Sequence, residues 1–587
     1  MSNTRAHNFL LVVPVLIALL GIFLSSERGP YYLADNFDPE YNYLLNSLNL
    51  LTFHIPAHND HPGTTLQLIG AVTILLKWMV DITIGSWRPL REAILTNPET
   101  YLHVINLVLN GLIAGAVFAA GRQFYRCSHS LVAALLLQAN GLFFLQTIQA
   151  QTRVSPEPLL LATGLFLLVP LAPVIFSDDT ADKRKTSYAI AAGGLVGFGL
   201  VTKVTFLPWV AVVLLFKGRL QKLRFFSAVI ASATVFLIPI FPRLPIVATW
   251  LTSLFLHNGM YGNGPVGLPN AGVLGENLLG LVHDEPLLFL CFLLYGVVLL
   301  LHPCAPFVRK HNLSSLLWTA LIAITVQTLM TIKHPAARYI LPALVVPALV
   351  NAALSAEISH TVIRQRRRIS LVLTGSAIVL GCFLFNLRRI GSWITEMQRY
   401  RDEVSELTRV ARQMDGCRVI GMYSSSVPTF ALNFGNAYAN FVHGKMLQEL
   451  YPDALAFSNS THNFYSFTLE PKGAMVRRMV ASGQCIVVQG TSLGPEVRHS
   501  LNDLTFDQIA LLGKEALYKV SISLNEAFRP LVSEVEFPRG SVIREAEDFE
   551  AGSVERDTTF WGAGIGVIVS PRIPAYAEYH VNLLRFA

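Results

Sequence analysis

The chain has little charge and few cysteines. Only 14% of its 587 residues are charged, whereas 52% are hydrophobic, and its six cysteines form no CxxC pair and no metal-ligand spacing. So little charge excludes an ordinary soluble protein, and the cysteine pattern argues against a zinc or iron–sulfur site. The chain also lacks a Walker sequence, so we do not expect it to use ATP directly. Its repeated apolar runs predict a polytopic α-helical membrane protein.

About eleven apolar segments approach or exceed the length that spans a bilayer. They lie near residues 8–24, 101–121, 130–148, 157–176, 188–202, 204–216, 225–241, 286–301, 314–332, 339–354 and 370–386. The first segment is interpreted as an uncleaved helix rather than a signal peptide, because no A-x-A-like cleavage site precedes Glu27. The prediction is therefore a bundle of about eleven membrane helices in residues 1–390.

Basic residues are clustered in alternate loops of this bundle. The formal net charge of +7 is concentrated at Arg122 and Arg126, and at basic residues within 183–185, 217–224, 309–310 and 364–368. The positive-inside rule places those loops in the cytoplasm, so the charge reports topology and no nucleic-acid partner is expected. An odd number of spans then puts the C-terminus outside. The apolar segment 63–85 contains Lys77 and Asp81, and we predict that it and 40–53 lie on the outer membrane surface.

After about residue 390 the sequence becomes more polar. Residues 391–535 predict an extracytoplasmic α/β domain, with helices at 396–414, 444–451 and 473–482 and strands at Arg418–Tyr423 and Ile486–Gln489. Cys417 and Cys485 each precede a strand, so they either form a disulfide or are two unrelated thiols. Residues 536–587 predict a short β-rich tail with alternating and glycine-rich segments.

Two acidic clusters lie in the loop that follows the first helix. Asp38 and Glu40 flank a proline, and Asp60 and His61 follow about twenty residues later. Acids before a helix can simply cap it. Two such clusters around one surface helix can instead define a pocket, where carboxylates supply a base or a metal ligand.

Further charged residues occur at the outer boundary, where the topology predicts few. Arg153 and Glu157 stand at the start of one span, and Lys203 interrupts another pair of helices. They suggest either an ion pair or the wall of a site. The segment 333–342 carries Lys333, His334, Arg338 and Tyr339. These cations have two interpretations. They either bury their methylene groups in the membrane and extend their charged groups to the membrane–water interface, or they bind an anion such as a phosphate, and we favour the anion site.

In their order and on their predicted side of the membrane, these segments resemble those of the GT-C membrane glycosyltransferases. This fold is shared by protein O-mannosyltransferases and by bacterial aminoarabinose and lipopolysaccharide-core sugar transferases. The resemblance covers roughly residues 8–390 and is carried by 38–41, 60–63, 153–157, 202–208 and 338–342. Separately, the tail is similar to the opening strands of β-sandwich carbohydrate-binding modules.

The resemblance implies a role for each candidate residue. Asp38 would be the base that deprotonates an acceptor hydroxyl, with Glu40 as the alternative base. Asp60 and Glu157 would hold a divalent cation, Mg²⁺ or Mn²⁺. The donor phosphate would be bound by the following residues: His61, Arg153, Lys203, Lys333, His334, Arg338 and Tyr339. His61 departs from the lysine that relatives place there, so an arginine or lysine elsewhere has to supply the missing positive charge.

The implied reaction is the transfer of a sugar from a polyprenyl-phosphate donor to a hydroxyl of a glycolipid, glycan or protein, with inversion at the anomeric carbon. The expected location is a bacterial inner membrane, with the site and the C-terminus on the periplasmic face. An endoplasmic-reticulum location with a luminal site stays open. Two other functions also remain open: a transporter or flippase of lipid-linked sugars, and a ligase of lipid-linked oligosaccharides. A transporter is disfavoured because the acids lie at the surface and the sequence has no convincing inverted repeat.

Overall fold

A computed structural model describes most of the chain. It covers residues 3–33, 40–59, 62–176, 182–259, 262, 264–301, 312–362, 368–414, 416–422, 425–458, 463–491 and 504–522. The catalytic candidate Asp38, the predicted metal ligand Asp60, His61 and the predicted tail 536–587 lie outside these residues.

The N-terminal two thirds of the chain are helical because the sequence offers long apolar runs and almost no strand-like alternation. The α-helices in chain order are α1 Asn3–Arg28, α2 Tyr41–Leu51, α3 Thr64–Thr83, α4 Leu90–Thr96, α5 Pro98–Ser128, α6 Leu131–Ala139, α7 Leu145–Ala150, α8 Pro156–Phe176, α9 Asp182–Thr202, α10 Arg219–Leu237, α11 Leu244–Leu256, α12 Ala271–Asp284, α13 Pro286–Leu300, α14 Leu313–Lys333, α15 Leu341–Leu344, α16 Val346–Val362 and α17 Arg368–Gln413. Short 3₁₀ helices occupy Asn140–Phe143, Val204–Leu215, Ile238–Arg243 and Ala337–Ile340.

The prediction of a polytopic helical membrane protein is confirmed. In the described part of the chain, seven helical segments are long and apolar enough to span a bilayer, or eight if α12 and α13, which meet at a bend of 98°, count as one. Two predicted spans are not continuous α-helices. The segment 130–148 is divided into α6, a 3₁₀ turn and α7, and 204–216 forms a 3₁₀ helix of 12 residues that contains Pro208. Proline removes a backbone donor, which favours such breaks.

One end of the bundle collects the polar contacts, and we call it the polar end. It is the end at which α1, α9 and α10 finish and α5 and α8 begin. The antiparallel pair α1 and α5 fixes it, because Ser25 Oγ donates to Asn106 Oδ1 at 2.8 Å. At the same level, Lys203 just after α9 pairs with Glu157 in the first turn of α8.

Helix α3 has both of its ends at the polar end. At its start, Thr64 Oγ1 donates to the carbonyl of Phe236 at the end of α10. Near its finish, Asp81 accepts from the hydroxyl of Tyr101 in the second turn of α5, at 3.2 Å. A helix of 20 residues is about 30 Å long, so it reaches both contacts only by lying across the polar end rather than along the axis of the bundle, as a surface helix would. The length and composition of α3 would also permit a span, and the ion pair between Lys77 and Asp81 neutralises its two charges.

Cysteine labelling tests this placement of α3. If α3 lies on the surface, His54→Cys before α3 and Ser86→Cys after α3 should react with a membrane-impermeant maleimide from the same side of the membrane. If α3 spans the bilayer, the two positions should react from opposite sides. Both residues are exposed, and labelling of the unsubstituted chain gives the background from its native cysteines.

A six-stranded sheet forms the core of the C-terminal domain. Its strands are β1 Cys417–Met422, β2 Ala456–Ser458, β3 Asn463–Tyr465, β4 Cys485–Thr491, β5 Leu504–Leu512 and β6 Glu515–Ile522, in the order β3-β2-β1-β4-β6-β5. The helices α18 Pro428–Tyr438, α19 Gly444–Leu450 and α20 Gly473–Ala481 complete it. The prediction of an α/β domain is confirmed. The strands predicted at Arg418–Tyr423 and Ile486–Gln489 and the helices predicted at 444–451 and 473–482 are found within a few residues of their expected bounds, whereas the helix predicted at 396–414 is the end of the longer helix α17.

Cys417 and Cys485 form a disulfide. They occupy facing positions of the parallel strands β1 and β4, with their Cα atoms 4.4 Å apart. Of the two alternatives that the sequence left open, the structure therefore selects the disulfide. Such bonds persist mainly in oxidising compartments, which agrees with an extracytoplasmic domain.

The C-terminal domain rests on α2 at the polar end. Asn46 and Asn49 of α2 donate to the carbonyls of Tyr438 and Ala439 at the end of α18. A side chain at Gly435 would meet the carbonyl oxygen of Tyr41 at 2.7 Å, so the two helices approach closely where α18 has no Cβ. The predicted domain boundary at residue 390 falls inside α17, a continuous helix of 46 residues that joins the membrane bundle to this domain.

Candidate functional site

Glu40 lies between two arginines at the polar end. Its Oε1 accepts from Arg28 Nη1 at 3.0 Å and from Arg153 Nε at 2.5 Å, and its side chain is only 1% exposed. Arg28 is equally buried and also contacts the carbonyl of Thr152 at 3.3 Å. Two guanidinium groups on one buried carboxylate occupy the oxygen that a general base would need. Glu40 is therefore placed to orient arginines, a different arrangement from the one expected of a base.

The turn that carries Arg153 is held by α5. Asn106 Nδ2 donates to the carbonyls of Gln151 and Arg153 at 2.9 and 3.1 Å, and Asn110 Nδ2 donates to the carbonyl of Gln151 at 2.9 Å. These bonds pair backbone carbonyls between α7 and α8, which have no partner within a helix. The position of Arg153 is thus set by amides that lie about two and three turns inside α5.

A second ion pair lies at the start of α8. Lys203 Nζ donates to Glu157 Oε1 at 2.6 Å, and both side chains are about one-tenth exposed. Pro156 begins α8, so Glu157 falls in its first turn, where an acid is favoured by the helix dipole. Lys203 Nζ also lies 4.7 Å from the ring centre of Tyr339, and the guanidinium of Arg338 lies 5.8 Å from the same ring. Two cations therefore surround one carboxylate and one aromatic ring.

The chain joins the two groups through a short segment. Arg153 and Glu157 are four residues apart and pair with Glu40 and Lys203 respectively. The backbone N–H of Gly63 donates to the carbonyl of Val201 at 3.1 Å, so Gly63 lies against the chain two residues before Lys203. The structure thus brings together Glu40, Arg153, Glu157, Lys203 and the Arg338–Tyr339 pair at the polar end.

Lys333 and His334 are placed differently from the rest of the predicted anion site. Lys333 Nζ donates to the carbonyls of Leu254 and Phe255 at 3.0 and 2.5 Å. The ring nitrogens of His334 lie 2.8 and 2.7 Å from the carbonyl oxygens of Leu254 and Gly259. Both side chains therefore hold the C-terminal end of α11, where unpaired carbonyls and the helix dipole favour cations. A phosphate contact by Lys333 or His334 stays a prediction.

The described residues do not by themselves form a divalent-cation site. In the ranges that the structure covers, no three His, Cys, Asp or Glu side chains group closely enough to hold a metal ion. Glu157, one of the two predicted ligands, is paired with Lys203, and Asp60 lies outside those ranges. The participation of Mg²⁺ or Mn²⁺ stays a prediction, and no step below depends on it.

Two residues of the site were missed by the sequence reasoning. Arg28 is the last residue of α1. The sequence feature that could have identified it is a positive charge directly after an apolar span, on the predicted outer side. Glu99 accepts from the backbone N–H groups of Tyr31 and Tyr32 and from the Tyr41 hydroxyl at 2.7 Å. Burial, together with the negative charge of Glu99, raises the pKa of Tyr41 well above its usual value. Tyr41 therefore stays a neutral hydrogen-bond donor.

Comparison with known proteins gives one structural likeness. No family model matches the chain, and no curated protein matches it. The solved structures include a similar chain, ArnT from Cupriavidus metallidurans bound to undecaprenyl phosphate, with a TM-score of 0.48 and 12% sequence identity over 86% of this chain and 97% of that chain. A likeness at this TM-score carries no inference about the ligands or chemistry of this chain.

Proposed function

We propose that the chain is an inverting membrane glycosyltransferase of the GT-C type, which moves a sugar from a polyprenyl-phosphate donor to a hydroxyl acceptor on the extracytoplasmic face. The observation that carries the proposal is the polar end itself. There, buried cations and carboxylates at the ends of membrane helices lie beside a disulfide-bonded domain. A lipid-linked donor presents its phosphate at this level of the bilayer while its isoprenoid chain stays among the lipids.

The geometry supports distinct roles for the residues of the polar end. In this proposal Lys203 and Arg338 bind the donor phosphate, while Glu157, which pairs with Lys203, keeps its ammonium in position. Arg153 either binds the same phosphate or serves only to pair with Glu40. Transfer breaks the bond between the anomeric carbon and the phosphate oxygen and forms a bond to the acceptor oxygen. The acceptor proton passes to a base, for which Asp38 is the candidate, and polyprenyl phosphate leaves as an anion.

The distribution of charge favours this reading over transport of lipid-linked sugars. A transporter typically places ionisable groups near the bilayer midplane. In the middle of α5 the buried polar side chains are the amides of Asn106 and Asn110, which bind protein groups. The buried ion pairs Glu40–Arg28 and Glu157–Lys203 both lie at the polar end.

The proposal is tested with the purified chain and with cells. With a polyprenyl-phosphate sugar and an envelope extract, the purified native chain should release polyprenyl phosphate. Mass spectrometry of cells carrying the native chain or Asp38→Asn should show one glycolipid, glycan or protein that loses a single sugar mass in the variant. Glu406→Gln on the exposed part of α17 is the matched control. If Asp38→Asn cells make the product at the native level, Asp38 is not the base. If the native chain releases no polyprenyl phosphate, the transferase proposal fails.

A further inference from the structure

The last turn of α11 lies against the end of α14. The final four carbonyls of an α-helix have no partner within the helix, and in α11 they belong to residues 253–256. Backbone N–H groups of the loop after α11 bind the first and the last of them. The two carbonyls between them, of Leu254 and Phe255, accept hydrogen bonds from the side chains of Lys333 and His334. Two side chains at the end of α14 therefore complete the end of α11.

His334 has two hydrogen-bond partners that a neutral imidazole cannot satisfy together. Its Nε2 lies 2.8 Å from the carbonyl oxygen of Leu254, and its Nδ1 lies 2.7 Å from the carbonyl oxygen of Gly259. A carbonyl oxygen only accepts hydrogen bonds, so both ring nitrogens have to carry a hydrogen, which they do only in the charged imidazolium. Turning the ring over would place C–H groups against the same oxygens, closer than the usual distance of about 3.3–3.6 Å. The geometry therefore fits the charged form of His334.

The surroundings of His334 both favour and oppose this charge. The ring is buried, and the two carbonyls and the C-terminal end of the α11 dipole favour a cation. The Lys333 ammonium opposes it, because it lies 3.0 Å from one of the same two oxygens. Helix α11 itself contains no charged residue. The other ionisable side chains on the elements that pack here are His257 on the loop after α11, Arg338, and Glu276, which is exposed on α12 next to its contact with α14.

We propose that His334 is a pH-sensitive switch, which in its charged form ties the end of α11 and the loop after it to the segment that carries Arg338 and Tyr339. The charged ring bridges the carbonyls of Leu254 and Gly259. Imidazoles change charge between about pH 5 and 8. When the ring loses a proton, one of its nitrogens becomes an acceptor that lies against a carbonyl oxygen. One of the two hydrogen bonds then breaks, and the loop after α11 is released.

The switch acts on the polar end because the segment after His334 is short. Only three residues separate His334 from Arg338. The next residue, Tyr339, is tied back to α14, where Gln327 Nε2 donates to its carbonyl at 2.6 Å. A change at the start of this segment therefore acts on the cation and the ring that lie beside Lys203. The switch does not depend on the proposed glycosyl transfer, since its contacts are all within the chain.

Hydrogen exchange of the purified full chain tests the switch. Four backbone hydrogen bonds hold the loop after α11, and their donors are the N–H groups of His257, Asn258, Gly264 and Gly267. A peptide that covers residues 253–267 reports their opening. After correction for the intrinsic effect of pH on exchange, this peptide should exchange about 10- to 100-fold faster at about pH 8 than at about pH 5.5, because one charge-assisted hydrogen bond is lost. Equal corrected rates at the two pH values would overturn the proposal.

Variants assign the pH dependence to this ring. His334→Gln is neutral and has a single donor nitrogen, so the peptide should exchange fast at both pH values. His334→Lys stays charged at both pH values, so its exchange should also be independent of pH. His283→Gln, the same change at an exposed position of α12, is the matched control and should keep the native pH dependence.

Two further outcomes would contradict the switch. If a folded variant at position 334 keeps the native pH dependence, another group is responsible for it. If neither variant folds, His334 supports the whole bundle rather than the loop after α11, which a local switch excludes.

Discussion

Glu40→Gln is expected to destabilise the protein more than any substitution at an exposed acid. The change keeps the shape of the side chain but removes the charge that faces Arg28 and Arg153, which are 2% and 14% exposed. Breaking a buried pair by neutralising one partner typically costs about 3–5 kcal/mol, because the remaining charge stays buried. The melting temperature of the purified chain should therefore fall by several degrees, and activity should fall with it as Arg153 moves.

A double-mutant cycle separates the ion pair from a general loss of packing. We would measure the stabilities of Glu40→Gln, Arg153→Gln and the double variant, and we expect a coupling of about 1–3 kcal/mol between neighbours of this kind. Glu406→Gln, in an exposed pair with Arg409 on the same polypeptide, should leave the melting temperature unchanged. Additive effects of the two substitutions would contradict a direct interaction between Glu40 and Arg153. If Glu40→Gln instead keeps normal stability but loses turnover, Glu40 would again be a candidate for the base.

The sequence predicted the architecture well where a single segment determines it. Apolar runs of span length identified α8 and α14, and alternation with β-branched residues identified β1 and β4, because each signal is local. The 3₁₀ geometry of Val204–Leu215 and the division of 130–148 were not predicted, since both depend on how neighbouring helices satisfy the backbone groups that a broken helix leaves unpaired. Strands β2 and β3 have only three residues each, too few for a periodic pattern.

The site was predicted in its residue types more than in its partners. Arg153 and Glu157 were recognised as unusual charges at a membrane boundary, but their partners Glu40 and Lys203 lie 113 and 46 residues away. No local pattern specifies contacts across such distances. The same limit explains Lys333 and His334. Their charges suggested an anion site. In the fold the end of α11 lies against both side chains, and the carbonyl of Leu254 accepts hydrogen bonds from Lys333 and His334.

Lys203→Met should give the second large effect, with a cost in both stability and activity. The substitution leaves the Glu157 carboxylate buried without its ammonium partner, which should cost a few kcal/mol. If Lys203 also binds the donor phosphate, as we propose, the loss of one charged hydrogen bond should weaken donor binding by about 10- to 100-fold. Melting temperature measures the first effect, and titration of the purified chain with polyprenyl phosphate measures the second.

The double variant Glu157→Gln/Lys203→Met separates these two roles of Lys203. Removing both charges eliminates the buried unpaired carboxylate, so the melting temperature should recover most of what Lys203→Met loses, because paired removal of buried charges is often close to neutral. Binding of polyprenyl phosphate should not recover, since the cation is still missing. Glu157→Gln alone keeps the ammonium beside Tyr339 and should bind the phosphate better than Lys203→Met does. Recovery of binding together with stability in the double variant would instead show that Lys203 serves only to neutralise Glu157.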